Sequence, residues 1–197
     1  MNWLLTITTF FPLVGVLAIL LLKPPERGTY RLVKIIAIAT SVITFLLTLL
    51  ILFRFNPDDP TLQLVDRVNW IPSWGISYFL GVDGLSILMV ILTSFISMLA
   101  IAASWSAIET QIKQYYIFML LLETGMMGVF LAQDLFLFYV FWEFTLVPMY
   151  FLIGIWGGQN RVYASIKFFL YTMAGSLLML LAILYMGIST ERLPCRS

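Results

Sequence analysis

The sequence has no histidine and a single cysteine, Cys195, among its 197 residues. Without histidine the chain lacks imidazole metal ligands, axial haem histidines and the usual proton shuttle of neutral pH. One cysteine cannot build a disulfide framework or an iron–sulfur site. We therefore expect this chain to hold no metal and no redox cofactor of its own.

Charge is also scarce, because only 11% of the residues are charged and the formal net charge is +1. No basic stripe marks a nucleic-acid partner, so the sequence predicts none. Neither a GxxxxGK[ST] nor a GxGxxG pattern occurs, which excludes the common phosphate-binding loops.

Apolar residues dominate instead, at 61% of the chain, with a mean hydropathy of +1.00. Crossing a bilayer core of ~30 Å takes ~20 residues of helix, and helices satisfy their own backbone hydrogen bonds. The sequence predicts an all-α polytopic membrane protein with six spans, the first of them a retained helix rather than a cleaved signal. The spans are 3–22, 32–53, 78–103, 115–132, 134–156 and 163–187.

The loops predict an orientation. Basic residues exceed acidic ones in 23–34, whereas Asp58, Asp59 and Asp66 outnumber the basic residues of 54–77. Basic loops face the cytoplasm, so the N-terminus is predicted outside, although two arginines of the tail disagree. Alternating apolar residues over 62–70 predict a short strand or hairpin in the outer loop. Asp83 is read as a local cap near the start of the third helix rather than as a catalytic acid.

Two glutamates interrupt the apolar spans. Only FLAQDLF separates spans 4 and 5, which predicts a tight antiparallel hairpin with Asp134 capping the fifth helix. Glu123 and Glu143 each lie ten residues from Gln133, or ~15 Å from the turn at 1.5 Å per residue. Both acids are thus expected near the midplane, where a charge costs ~2.5–3.5 kcal/mol. The spacing does not fix whether they face each other.

Glu143 is predicted to be a titratable site, since burial favours the neutral acid and a nearby lysine favours the carboxylate. Pro148 removes a helical hydrogen bond at the carbonyl of Phe144, beside that acid. The alternative is a neutral acid that hydrogen-bonds a neighbouring helix. For Glu123 the alternative is helix packing, since Gly125 and Gly128 follow it closely.

Lys167, early in the sixth span, has two readings of equal standing: a relay residue, or a side chain that snorkels to the interface. Ser165, Thr172 and Ser176 are read first as a packing face of the same helix.

Three stretches closely resemble one family: LGVDGLS, LLLETGMMGVFLAQDLFLFYVFWEFTLVPMYFLIGIWGG and RVYASIKFFLYTMAGSLLMLLAILY. They are similar to the antiporter-like subunit M, or chain 4, of proton-pumping NADH:quinone oxidoreductase, complex I, including its cyanobacterial and plastid form. The resemblance runs over about residues 1–187. It implies that Glu143 is the key membrane glutamate, Glu123 the second glutamate and Lys167 the lysine that opens the sixth helix.

The resemblance also implies an organisation of the chain. Residues 1–114 correspond to three N-terminal helices with an outer loop at 54–77, residues 115–187 to the first three helices of the proton-translocating unit, and 188–197 to a polar tail. The fold would be an incomplete first inverted repeat. The seventh-helix lysine of the family lies beyond this sequence, and GISTERLPCRS does not resemble the family's continuation. We therefore expect this chain alone to lack the family's full activity.

The leading functional hypothesis is the N-terminal part of a proton-translocating subunit, with other membrane subunits as partners. Quinone and NAD(P)H or ferredoxin would be handled by those subunits. The chain is expected in a bacterial inner membrane, a thylakoid membrane or an organelle equivalent. Two alternatives stay open: a truncated, non-transporting scaffold and a subunit of a cation/proton antiporter.

Overall fold

The computed structural model describes residues 3–22, 27–59, 61–72 and 76–191. Within these ranges six helices are long and apolar enough to cross a membrane, so the chain is a multi-pass membrane protein, as predicted. The final residues 192–197, with Cys195, lie outside the described ranges. The helices are α1 Leu4–Leu21, α2 Arg27–Arg54, α3 Gly84–Ala107, α4 Ile112–Leu131, α5 Leu135–Trp156 and α6 Arg161–Glu191.

Between α2 and α3 the chain forms an antiparallel β-hairpin of β1, Gln63–Ile71, and β2, Ile76–Val82. The predicted hairpin is confirmed, but the predicted third span was wrong at its start. It began at residue 78, inside what proves to be β2. Apolar periodicity alone does not separate a short buried strand from the first turn of a membrane helix.

Asp83 marks the true start of α3. Its Oδ1 accepts hydrogen bonds from the backbone N–H of Leu85 at 3.1 Å and of Ser86 at 2.7 Å. The Ser86 hydroxyl accepts in return from the Asp83 N–H at 2.8 Å, which completes a capping box. The predicted capping role of Asp83 is confirmed, at the N-cap itself rather than inside the helix.

The hairpin is attached to the bundle through two aspartates. Asp66, fully buried, accepts hydrogen bonds from the Thr6 backbone N–H at 3.1 Å and the Thr6 hydroxyl at 3.0 Å. Asp134 Oδ2 accepts from the Ser77 N–H at 3.0 Å. These contacts join the hairpin to α1 and to the turn between α4 and α5. We call this side of the molecule the hairpin end.

Helices α1 to α4 pack together, α5 packs on α4, and α6 packs on α5. Two apolar clusters form the core, one towards the hairpin end and one towards the opposite end. At the opposite end, lysine side chains bind carbonyls at helix C-termini. Lys113 Nζ donates to the Leu20 and Leu22 carbonyls at 3.1 and 2.9 Å, and Lys34 Nζ donates to the Trp105 carbonyl.

Candidate functional site

The predicted hairpin of α4 and α5 is present, and Asp134 starts its second helix. Asp134 Oδ1 accepts hydrogen bonds from the N–H groups of Phe136 at 2.9 Å and Leu137 at 3.2 Å, as expected of an N-cap. The aspartate therefore has two roles, since Oδ1 caps α5 and Oδ2 accepts from the Ser77 N–H of the β-hairpin.

Two glycines bring α4 and α5 close together. A Cβ built on Gly128 would overlap the ring of Phe141, and one on Gly125 would lie 2.6 Å from Thr145 Cγ2 and 3.5 Å from the Thr145 backbone nitrogen. Further along the pair, the rings of Phe118 and Phe151 stack at 4.8 Å. These contacts fix the antiparallel register, in which Gly125 lies level with Thr145.

Glu123 points away from α5. At 100° per residue it lies about 200° around α4 from Gly125 and about 140° from Gly128, which both face α5. Its side chain is fully buried on the side of α4 that packs against α1, α2 and α3. Neither carboxyl oxygen has a hydrogen-bond partner among the described residues.

Glu143 points towards α6. It shares one face of α5 with Tyr150, whose ring lies 5.6 Å from that of Phe169, and with Gly154, which lies against Ser165. The Tyr139 hydroxyl, one turn earlier on this face, lies near both the Glu143 carboxyl and Ser176 of α6. The buried Oε1 of Glu143 has no partner in the described part of the chain.

The side chains of Glu123 and Glu143 therefore point in opposite directions from the α4–α5 contact. The register puts Glu143 level with residue 127 of α4, four residues from Glu123, or about 6 Å along the helix axis. This offset is smaller than two helical turns, so both acids lie at similar depth. Their side chains are separated by the contact of α4 with α5, a relation that the sequence spacing left open.

Lys167 lies apart from both acids. It is exposed on the side of α6 away from α5, and its Nζ lies 5.8 Å from the centre of the Tyr163 ring. No hydrogen bond or ion pair joins it to Glu123 or Glu143 within the described ranges. The structure thus brings none of the three predicted site residues into contact with another.

Sequence reasoning missed two tyrosines. Tyr139 precedes Glu143 by one turn and lies near it. Tyr116 precedes Glu123 by two turns and is fully buried, and its hydroxyl has no partner among the described residues. Spacings of four and seven residues put side chains on one helix face, so the sequence could have indicated that each tyrosine lies near its glutamate.

Comparisons with known proteins agree on one family. The family described as NADH:quinone oxidoreductase/Mrp antiporter, TM, matches residues 132–194. NADH-quinone oxidoreductase subunit M of Rhodobacter capsulatus is 48% identical over 190 residues, 94% of this chain and 36% of that protein. NAD(P)H-quinone oxidoreductase chain 4 of Prochlorococcus marinus strain NATL2A is 40% identical, over 93% of this chain and 34% of that protein. A chain of respiratory complex I from Thermus thermophilus superimposes with a TM-score of 0.74 at 27% identity, covering 91% of this chain and 35% of that chain.

The fold and these matches are those of an antiporter-like membrane subunit, and residues 132–194 match the NADH:quinone oxidoreductase/Mrp antiporter transmembrane family. Along almost its whole length the chain is similar to the N-terminal part of subunit M, also named chain 4. The resemblance stated from the sequence is therefore confirmed. The chain spans about a third of the length of the curated relatives it matches.

Proposed function

We propose that this chain is the N-terminal part of a proton-translocating subunit of a complex I-type quinone oxidoreductase, in which Glu143 relays protons. The observation that carries the proposal is the environment of Glu143. Its carboxyl lies in mid-helix near the Tyr139 hydroxyl and Ser176, and one buried oxygen has no partner in the part of the chain that the structure describes. A carboxyl at membrane depth is costly and is functional by default.

Pro148 supports the same proposal. It lies five residues after Glu143, is buried, and has no N–H to donate to the Phe144 carbonyl. The Phe144 carbonyl lacks its usual helical donor, and Glu143 Oε1 lacks a partner in the described ranges, so adjacent residues offer water two hydrogen-bonding groups at one level of α5. Water beside Glu143 would carry a proton to and from the carboxyl.

Glu123 and Lys167 are proposed as further residues that bind and release protons along the path, each at a place of its own. Glu123 points into the α1–α4 bundle and Lys167 is exposed on α6, so neither is a direct partner of Glu143 in the described residues. Electron transfer is assigned to other subunits, which would handle quinone and NAD(P)H or ferredoxin. The partners are then membrane subunits of a complex I-type assembly in an energy-converting membrane.

A cation/proton antiporter subunit is the second candidate, because the matching family includes Mrp antiporters. The identities of 48% and 40% to quinone oxidoreductase subunits favour the first proposal. A non-transporting scaffold is the third candidate. It predicts that Glu143 can lose its proton-binding ability without functional consequence.

Replacing Glu143 by Gln in the assembled complex tests the proposal. Gln keeps the size and hydrogen bonding of Glu but does not titrate, so pumping-linked turnover should fall to background while assembly stays intact. Glu143→Asp keeps the titratable group on a shorter side chain and should retain part of the activity. Glu109→Gln removes an exposed acid and serves as the matched control.

Two results would overturn the relay role. Normal pumping by Glu143→Gln would leave a neutral hydrogen-bonding acid as the correct description. Failure of Glu143→Gln to assemble, with Glu109→Gln assembling normally, would make Glu143 a structural residue. Proton uptake by the assembled complex in sealed vesicles is the measurement, with subunit content on native gels as the assembly readout.

A further inference from the structure

A layer of buried polar side chains crosses the middle of the bundle formed by α1 to α4. On each of these helices buried polar residues lie between buried apolar ones along the axis, and α3 has two further buried serines at its ends, Ser86 and Ser104. We call the polar set the polar layer. Its members are Thr8 and Thr9 of α1, Thr40, Ser41, Thr44 and Thr48 of α2, Thr93, Ser94 and Ser97 of α3, and Glu123 and Thr124 of α4.

The two apolar clusters close the polar layer on either side. On α4, Glu123 lies between Leu120 of one cluster and Met127 of the other. The same order holds on α3, where Ser94 and Ser97 separate Val90 from Ile101. The layer is therefore an enclosed polar zone at mid-membrane depth rather than a polar face open to either side.

Contacts between helices join parts of the layer to neighbouring helices. The hydroxyls of Thr48 and Ser94 are 2.9 Å apart and join α2 to α3. Because these helices are antiparallel, Thr44 is then level with residue 98, next to Ser97. On the other side of α2, Thr40 lies directly against Gly15 of α1, where a Cβ would be 2.5 Å from its hydroxyl oxygen.

The hydroxyls of the layer offer acceptors more than donors. Most of them donate to a carbonyl of their own helix, which leaves oxygen lone pairs free. These bonds include Thr9 to Leu5 at 2.8 Å, Thr40 to Ile36 at 2.8 Å, Thr44 to Thr40 at 3.0 Å, Thr93 to Met89 at 2.7 Å and Thr124 to Leu120 at 3.1 Å. Acceptor-rich surroundings favour species with protons to donate, such as water and a neutral carboxyl.

Glu123 is the ionisable group inside this layer. Both of its oxygens lack a partner among the described residues, as does the Tyr116 hydroxyl two turns away on the same face. No Asp, Glu, Lys or Arg occurs on α1 or α3, and the basic residues of α2 lie at its ends. Glu143 is on the far side of the α4–α5 contact. Among the residues that the structure describes, no charged side chain is thus placed to pair with Glu123 in the bundle.

We propose that the polar layer is an internal hydrated site, in which water bridges the Glu123 carboxyl to the Tyr116 hydroxyl and to hydroxyls of α2 and α3. Buried polar groups nearly always have a partner, and internal water supplies about three hydrogen bonds where protein groups do not. In this site the carboxyl O–H bond of Glu123 breaks and the proton passes to the bound water, and it returns by the same step. The inference deepens the proposed proton role of Glu123.

Infrared difference spectroscopy of the chain in lipid nanodiscs tests the site without turnover. A carbonyl stretch of protonated Glu123 should be present at a hydrogen-bonded position, be lost in Glu123→Gln and persist in Glu143→Gln. An O–H stretch of internal water should shift in H2(18)O and be lost in the same Glu123 variant. If Glu143→Gln pumps normally while these bands are present, the Glu143 relay is wrong and the hydrated site at Glu123 still stands. The two proposals can therefore fail separately.

Hydroxyl variants assign the water to the layer. Thr44→Val and Ser97→Ala should weaken the internal-water band and shift the Glu123 carbonyl band, while Thr44→Ser should restore both. Thr172→Val removes a comparable hydroxyl of α6 that donates to its own helix at 2.8 Å, and it should change neither band.

Three results would overturn the proposal. A Glu123 carbonyl band at the position of a free acid, with no isotope-sensitive water band, would make the layer dry. Bands that respond to Thr172→Val as much as to Thr44→Val would remove the assignment to the layer. A spectrum that changes between sodium and choline chloride at constant pH would make the layer a site for a hard cation instead of water.

Discussion

The acidic side chains of this protein differ in role according to their depth in the membrane. The acids at the hairpin end, Asp66, Asp83 and Asp134, all receive backbone N–H groups and start or attach an element. The acids inside the spans, Glu123 and Glu143, have oxygens without a protein partner in the described ranges. The same functional group thus has a structural role where backbone donors are free, and a titratable role is proposed where they are not.

Asp83 gives a prediction at this scale. The Ser86 backbone N–H lowers the pKa of Asp83 from its ordinary value of 3.8. A lowered folded-state pKa stabilises the fold above the unfolded value, and that stabilisation is lost as pH falls through the folded one. Asp83→Asn keeps an N-cap without titration, so its stability relative to the parent chain should improve below about pH 4.

Thermal unfolding by circular dichroism in detergent measures this difference. Asp83→Ala should lower stability by ~1 kcal/mol at neutral pH, since it removes the cap altogether. Asp58→Asn, at an exposed loop position, is the control and should follow the parent chain. A constant gap between Asp83→Asn and the parent from neutral to acid pH would contradict the assignment.

At the scale of elements, close contact of α4 and α5 determines where both glutamates point. Gly125 and Gly128 face α5, so Glu123 is turned towards α1, α2 and α3. On α5 the rings and side chains facing those glycines turn Glu143 towards α6. The separation of the two acids therefore depends on glycine positions rather than on any contact of the acids themselves.

Gly128→Ala should accordingly destabilise the helix pair. The new Cβ would overlap the Phe141 ring, and overpacking of this kind costs ~1–3 kcal/mol. Gly175→Ala adds a methyl in α6 where no atom lies within 4 Å, so it should be neutral or stabilising. Unfolding in denaturing detergent is the measurement, and Phe141→Leu combined with Gly128→Ala should recover part of the loss. Equal effects of the two alanine variants would argue against the close contact.

Much of the fold could be predicted because apolar runs of membrane length leave few alternatives. The six helices, the α4–α5 hairpin and the Asp134 cap follow from run length and turn chemistry. The start of α3 could not, since the run after Tyr78 fits a strand as well as a helix. The direction of the Glu123 side chain could not be predicted either. It depends on which helix packs against Gly125 and Gly128, and helical spacing alone does not supply that.

At the scale of the whole molecule, the two ends differ in chemistry. The hairpin end carries aspartates bound to backbone N–H groups, and the opposite end carries Lys34 and Lys113 bound to backbone carbonyls. A basic end faces the cytoplasm under the positive-inside rule, so the hairpin end is predicted to face outwards. Because α1 to α4 pack into one bundle, all four helices share this orientation.

Cysteine labelling of intact cells or vesicles measures that orientation. In a chain with Cys195 replaced by Ser, Asp58→Cys should react with an impermeant maleimide added from outside. Thr29→Cys, at the start of α2, should react only after permeabilisation. The reverse pattern would mean that the hairpin end faces the cytoplasm.

The contact between α1 and α4 also has a consequence for how the protein is made. Neighbours along the chain pack together from α1 to α6, but the bundle closes through the contacts of α4 with α1 and α2. Until the ribosome has delivered α4, the threonines of α1 and α2 have no enclosed interior to occupy. We expect the first three helices to stay beside the insertion machinery until the fourth arrives and then to enter the lipid together. Biogenesis of this chain would proceed in one four-helix step, followed by the addition of α5 and α6.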